Sequence, residues 1–170
     1  LEARRSYLSG IALDIGSWLT QTRYMRGRLI EAREVGEECE ALAERIGEPS
    51  RPAMLARMWR LIGTISAGDH RAALADLVAL CESERDPHHR IPLHGAISRW
   101  HSRLEGAARA EEVRARIAAG RRDVADARCT RCGVEFIRAA TESLARVGAV
   151  AEAMQWFEEA EHAPPRGDLQ

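Results

Sequence analysis

The sequence predicts an all-α fold made of antiparallel helix pairs, each about 40 residues long. Ala, Leu, Arg and Glu are strong helix formers and are abundant in the 170-residue chain, whereas aromatic residues make up only 5% and β-branched runs are missing. Three of the four tryptophans, Trp18, Trp59 and Trp100, recur at intervals of 41 residues. A spacing of this length indicates a repeated supersecondary unit.

Glycines keep the same spacing and predict where the first helix of each pair ends. Each is followed five residues later by an alanine, in the pairs Gly27 and Ala32, Gly68 and Ala73, and Gly148 and Ala153. Glycine takes the left-handed conformation that closes a helix, and a small residue is expected where two helices touch. The third unit departs from this pattern, because Gly106 comes 38 residues after Gly68 and is followed by Glu111 in place of alanine.

Apolar residues at steps of three and four place the helices. The predicted pairs are 11–26 with 28–46, 53–67 with 69–83, 92–105 with 108–119, and 126–147 with 149–162. Linkers are expected at 47–52, 83–92 and 118–127. We expect one repeat domain over 1–162, a tail over 163–170, and a helix that already runs through residues 1–9. The chain lacks an initiating Met, so we also expect it to be a fragment of a longer protein that tends to self-associate.

The Gly-x4-Ala spacing, the tryptophan period and Phe157, four residues after Ala153, resemble the tetratricopeptide-like repeats of large LuxR-type transcriptional regulators with a STAND-class ATPase. The resemblance covers about 11–162 and implies a right-handed superhelix that senses an inducer or a partner in the bacterial cytoplasm. It implies no catalytic activity and no cofactor for this part of such a protein.

The composition of the chain argues against several other classes of function. The net charge of −1 offers no overall basic surface for nucleic acid or an anionic membrane. The chain contains no Lys, so it lacks the lysine-containing phosphate loop of nucleotide-binding proteins. No apolar run approaches the roughly 20 residues that span a bilayer. Four cysteines are too few for a disulfide scaffold, which favours a reduced, cytoplasmic protein.

Cys129 and Cys132 form a C-x-x-C pair with three possible roles. Both fall on the predicted apolar face of helix 126–147, which favours buried, metal-free thiols like Cys39 and Cys81. A metal site remains an alternative because nearby histidines, His88, His89, His94 and His101, supply further ligand types. A redox pair is the third possibility, since a helix N-terminus favours the thiolate.

A stacked array of helix pairs predicts a partner groove lined by the first helices. The candidate contact residues are the polar side chains of these helices that lie off the apolar faces: Asp14, Gln21, Arg57, Arg60, Arg99, Arg103, Arg138 and Glu142. The expected occupant is a protein or peptide segment, or a small inducer. The alternative is nucleic-acid or phosphate binding through the arginine segment, residues 114–131.

Overall fold

The computed structural model of the protein describes residues 2–47 and 50–162, with side chains over 9–47 and 50–159. This part of the chain is helical and contains no strand, so the predicted all-α class is confirmed. Its α-helices are α1 Glu2–Met25, α2 Leu29–Ile46, α3 Arg51–Ser66, α4 His70–Ser83, α5 Pro87–Glu105, α6 Ala110–Ala127, α7 Thr130–Arg146 and α8 Val150–His162. The predicted helix through residues 1–9 is confirmed from residue 2 onward. The predicted tail, 163–170, lies outside the described residues.

The predicted glycines do end the first helices of three pairs. Gly27, Gly68 and Gly148 have φ values of 73°, 115° and 83°, in the region that only glycine enters without strain. The three partner alanines are buried, as predicted: Ala32, Ala73 and Ala153. The tryptophans Trp18, Trp59 and Trp100 lie in α1, α3 and α5, the first helix of three successive pairs.

The third pair is longer than predicted at both ends. Asp86 accepts a hydrogen bond from the backbone N–H of His88 and caps α5, and Pro87 occupies the first turn, where its missing N–H does no harm. The helix therefore starts at Pro87, and the predicted linker 83–92 was wrong over its second half. The predicted linker 118–127 was also wrong, because α6 continues to Ala127.

The fourth pair starts later than predicted. Arg128 takes the left-handed conformation, with φ 50° and ψ 31°, and ends α6. Cys129 then caps α7, and its Sγ accepts a hydrogen bond from the backbone N–H of Cys132 at 3.4 Å. The predicted single helix over 126–147 is thus wrong at its N-terminal end.

The described residues divide into two compact units, and the boundary in the chain falls between Leu77 and Val78 of α4. In the first unit α1, α2 and α3 pack against one another. Leu13, Cys39 and Ala56 form their buried centre. Gly16 lets α1 approach Cys39 closely, since a Cβ at this glycine would lie 2.1 Å from the Sγ.

In the second unit α5 packs on α6 and α7, and α7 packs on α8. The core contains Ile91, Val113, Phe136 and Leu144. Gly120 in α6 leaves room for the ring of Phe136, because a Cβ there would lie 2.4 Å from it. Among the described residues, no helix combines the length and the apolar character needed to cross a membrane.

Candidate functional site

The outer face of α1 carries a row of exposed apolar side chains. Ile11, Ile15, Trp18 and Met25 are 39%, 56%, 59% and 71% exposed. Their steps of four, three and seven residues keep them on one side of the helix, in the a/d spacing of a coiled-coil seam. Side chains of this size are normally covered in a helix pair. We call these four residues the α1 seam.

Two of the predicted contact residues border this seam. Asp14 directly precedes Ile15 and is exposed, and Gln21 is half-buried one heptad later. In coiled-coil terms they occupy g positions, which set the orientation and choice of a partner helix. The opposite border carries Leu19, which is 42% exposed and widens the apolar strip.

The second unit gathers three other predicted residues into one charged group. Arg99 and Arg103 of α5 reach Glu142 of α7, with N···O distances of 3.0 and 2.6 Å, and Arg146 approaches the same carboxylate at 3.2 Å. Burial raises the pKa of Glu142, but hydrogen bonding and charge from Arg103 and its neighbours outweigh burial and hold the pKa below its ordinary value. Three arginines around one carboxylate leave a positive excess on this face.

The remaining predicted residues do not join that group. Arg60 forms two hydrogen bonds to Glu40 at 2.6 and 3.2 Å and so ties α3 to α2. Arg57 is exposed on α3, and Arg138 pairs with Glu135 on its own helix. The eight predicted residues are therefore divided between the two units.

Three of the six arginines in the arginine segment lie beside acidic side chains. Arg114 and Arg121 pair with Glu152 and Glu159 of α8 at 2.7 and 2.6 Å, and Arg116 lies 3.9 Å from Glu82. Arg121 also lies over the ring of Trp156. These ion pairs join α6 to α4 and α8. They also partly neutralise the arginine charges that would attract phosphate groups.

A buried polar cluster in the second unit was not predicted from the sequence. Asp123 of α6 accepts hydrogen bonds from Arg90 Nε at 2.9 Å and pairs with His94 Nε2 at 3.0 Å. The Sγ of Cys81 lies 3.8 Å from both ring nitrogens of His94. His94 and Asp123 are each 4% exposed. The sequence had suggested His94 only as a possible metal ligand.

The electrostatics of this cluster favour a neutral histidine beside an ion pair. Burial lowers the pKa of His94 to about 4 and outweighs Asp123, whose charge and hydrogen bond raise that pKa, while the charges of Arg116 and Arg90 act in the same direction as burial. Burial raises the pKa of Asp123, but Arg90 outweighs it and holds that pKa below its ordinary value. The cluster thus presents a carboxylate matched by Arg90, with His94 as an uncharged hydrogen-bonding partner.

The contacts of His94 with both Cys81 and Asp123 also resemble a catalytic arrangement in which a histidine, oriented by an acidic residue, activates a cysteine nucleophile. Cys81 is 1% exposed, and burial raises the pKa of its thiol. A nucleophile needs a thiolate and access to substrate. The arrangement therefore fits an internal tie between α4, α5 and α6, although its residues border a surface cavity of about 300 Å³.

The C-x-x-C pair has a different setting from the one predicted. Cys39 and Cys81 are buried, as expected, but Cys129 and Cys132 are only half-buried. Cys132 packs against the core of the second unit, whereas the left-handed Arg128 takes Cys129 out of the helical stripe and makes it the cap of α7. Within the described residues, one group of three metal-ligating side chains converges: His88, Cys129 and Cys132, with all ligand atoms within 4.8 Å of one another.

Comparison of the chain with protein-family models, with curated proteins and with solved structures finds no match.

Proposed function

We propose that this chain is a non-catalytic interaction module that binds an amphipathic helix of a partner protein along the α1 seam. The carrying observation is the exposure of Ile15 and Trp18 at more than half of their surface, in line with Ile11 and Met25. An apolar row with a/d spacing fits a helix better than it fits an extended strand or a small polar ligand, because a helix matches the three- and four-residue steps.

The far face of α1 supports this assignment. Leu13 is 2% exposed and Thr20 is completely buried, so the helix is already anchored on α2 and α3. The seam therefore contributes less than the opposite face to the packing that holds α1 in place. A rigid helix with a second apolar face offers a pre-organised surface, which reduces the entropy lost on binding.

The proposal includes the stacking of the helix pairs as a tetratricopeptide-like right-handed superhelix. In support, α1 packs on α3 in the first unit and α5 packs on α7 in the second, so first helices of successive pairs adjoin one another. We further propose that the module serves a cytoplasmic signalling protein of the LuxR type. The group around Glu142 is a second contact surface, suited to an acidic segment of the partner.

The test is affinity capture from a bacterial extract with the wild-type chain and two variants. We expect one set of partners to bind the wild type and a double variant of α2, Glu34→Gln with Glu38→Gln, and to be lost with Ile15→Asp plus Trp18→Asp. Equal capture by all three chains would contradict the proposal. Partner loss only in high salt would instead favour the arginine surfaces.

A further inference from the structure

We propose that His88, Cys129 and Cys132 form a three-ligand zinc site in which water takes the fourth position. Two thiolates and one imidazole are ligands that zinc prefers, and the C-x-x-C spacing is the usual one for two thiolates on one ion. The third ligand comes from 41 residues earlier in the chain, at the start of another helix. This inference is independent of the α1 seam and revises the expectation of packed, metal-free thiols.

The fold brings the ligands together through two capped helix starts. Asp86 accepts a hydrogen bond from the backbone N–H of His88 at 2.9 Å and fixes the first turn of α5. The left-handed turn at Arg128 directs the chain into α7, which packs against α5. His88 and the C-x-x-C pair are consequently carried on backbone that is already ordered, as a preformed site requires.

The distances are close to those of a filled site. Zinc–sulfur bonds of about 2.3 Å in tetrahedral geometry separate two sulfurs by about 3.8 Å. The ligand atoms lie within 4.8 Å of one another. A contraction of at most about 1 Å would bring the two sulfurs to this separation.

The ligands lie at the N-terminal ends of two long helices. Cys129 caps the 17-residue α7 and Cys132 lies in its first turn, whereas His88 lies in the first turn of the 19-residue α5. Metal binding needs deprotonated thiols and a neutral histidine. Two thiolates then balance the charge of Zn²⁺.

A backbone hydrogen bond to Cys129 Sγ supports the role of this sulfur as a ligand. The backbone N–H of Cys132 donates to Cys129 Sγ at 3.4 Å, an interaction that orients a metal-bound thiolate. All three ligands are half-buried, and the proposal places water at the fourth coordination position. An open position is typical of zinc sites that exchange a ligand, whereas structural sites have four protein ligands.

The test titrates the reduced, chelator-treated chain with Co²⁺ and then with Zn²⁺. We expect one equivalent of Co²⁺ to produce thiolate-to-cobalt charge-transfer absorption, and Zn²⁺ to abolish it. His88→Gln should weaken Zn²⁺ binding at least tenfold, and the matched control His89→Gln, one residue away and outside the cluster, should bind as the wild type does. Substoichiometric binding by the wild type, or equal affinity of the His88→Gln chain, would overturn the proposal and assign the metal to adventitious thiol chelation.

A melting experiment separates metal loss from damage to the fold. Serine is a better helix N-cap than cysteine, so Cys129→Ser should melt at the same or a higher temperature than the wild type in chelator. Zinc should raise the melting temperature of the wild type and leave that of Cys129→Ser unchanged. An equal rise in both chains would contradict zinc ligation by Cys129, as would a Cys129–Cys132 disulfide that persists in reductant.

Discussion

At the residue scale, the cluster of His94, Asp123 and Arg90 is the most consequential polar feature of the second unit. Removing one partner of a buried ion pair leaves the other charge buried and unpaired. This costs more of the free energy of unfolding than the ion pair itself contributes. The cluster could not be predicted from the sequence, because His94 and Asp123 are 29 residues apart and no local motif joins them.

By contrast, the C-x-x-C pair and its possible histidine ligands were evident from the sequence. Only the three-dimensional structure selects His88 among the four candidate histidines.

The neutral His94 makes stability depend on pH. Between pH 6.5 and about pH 4, the unfolded chain binds a proton at this histidine that the folded chain does not bind, so acidification favours unfolding. We expect the wild type to lose about 2–3 kcal/mol more of its free energy of unfolding than His94→Gln between pH 7 and pH 4. Urea unfolding at each pH measures this difference, which cancels the contributions of carboxylates that do not contact His94; Asp123, which does contact it, differs between the two chains. Parallel pH curves for the two proteins would show that His94 is not buried in its neutral form.

At the element scale, helix ends that rely on glycine were predictable and those that rely on other residues were not. Gly27, Gly68 and Gly148 take positive φ where the sequence predicted them to. The turn at Arg128 has the same geometry without a glycine, so no sequence signal separated α6 from α7. The start of α5 was missed because Asp86 and Pro87 were taken for a linker, although together they form a cap and a first turn.

Two glycine substitutions should have opposite effects on stability. Gly120→Ala places a Cβ 2.4 Å from the Phe136 ring and 3.0 Å from the Cβ of His94, and we expect this crowding to cost about 1–3 kcal/mol, more than the gain in helix propensity. Gly10→Ala has nothing within 4 Å of the new Cβ and should stabilise α1 by about 0.5–1 kcal/mol. Thermal unfolding of both variants gives the comparison, and destabilisation by Gly10→Ala would contradict the open space around this glycine.

The two faces of α1 should also respond differently to truncation. Leu13→Ala removes a side chain that is 2% exposed and should cost about 2–5 kcal/mol. Trp18→Ala, at a position that is 59% exposed, should change the free energy of unfolding by less than about 1 kcal/mol. Chemical denaturation of the isolated chain tests this contrast. A large loss for Trp18→Ala would place the seam inside the fold of the chain.

At the scale of the whole molecule, the sequence predicted the helical class and the order of the pairs but not the location of the exposed apolar surface. The predicted contacts were polar residues of the first helices, whereas the row of Ile11, Ile15, Trp18 and Met25 emerges only when α2 and α3 are seen to pack on the other side of α1. Both faces of α1 carry apolar residues, so periodicity alone does not decide which face is covered. A similar exposed row, Val150, Met154 and Phe157, lies on α8 in the second unit.

The most direct test of the proposed interaction module is site-specific photo-crosslinking in bacterial cells that produce the chain. A photoreactive amino acid replaces Ile15 in the seam or, as the control, Glu38 on the exposed side of α2. We predict a defined cross-linked partner from position 15 and none from position 38. A cross-link to a second copy of the chain would identify self-association as the interaction that the seam supports. Equal cross-linking from both positions, or none from position 15, would contradict the assignment of the α1 seam as a binding surface.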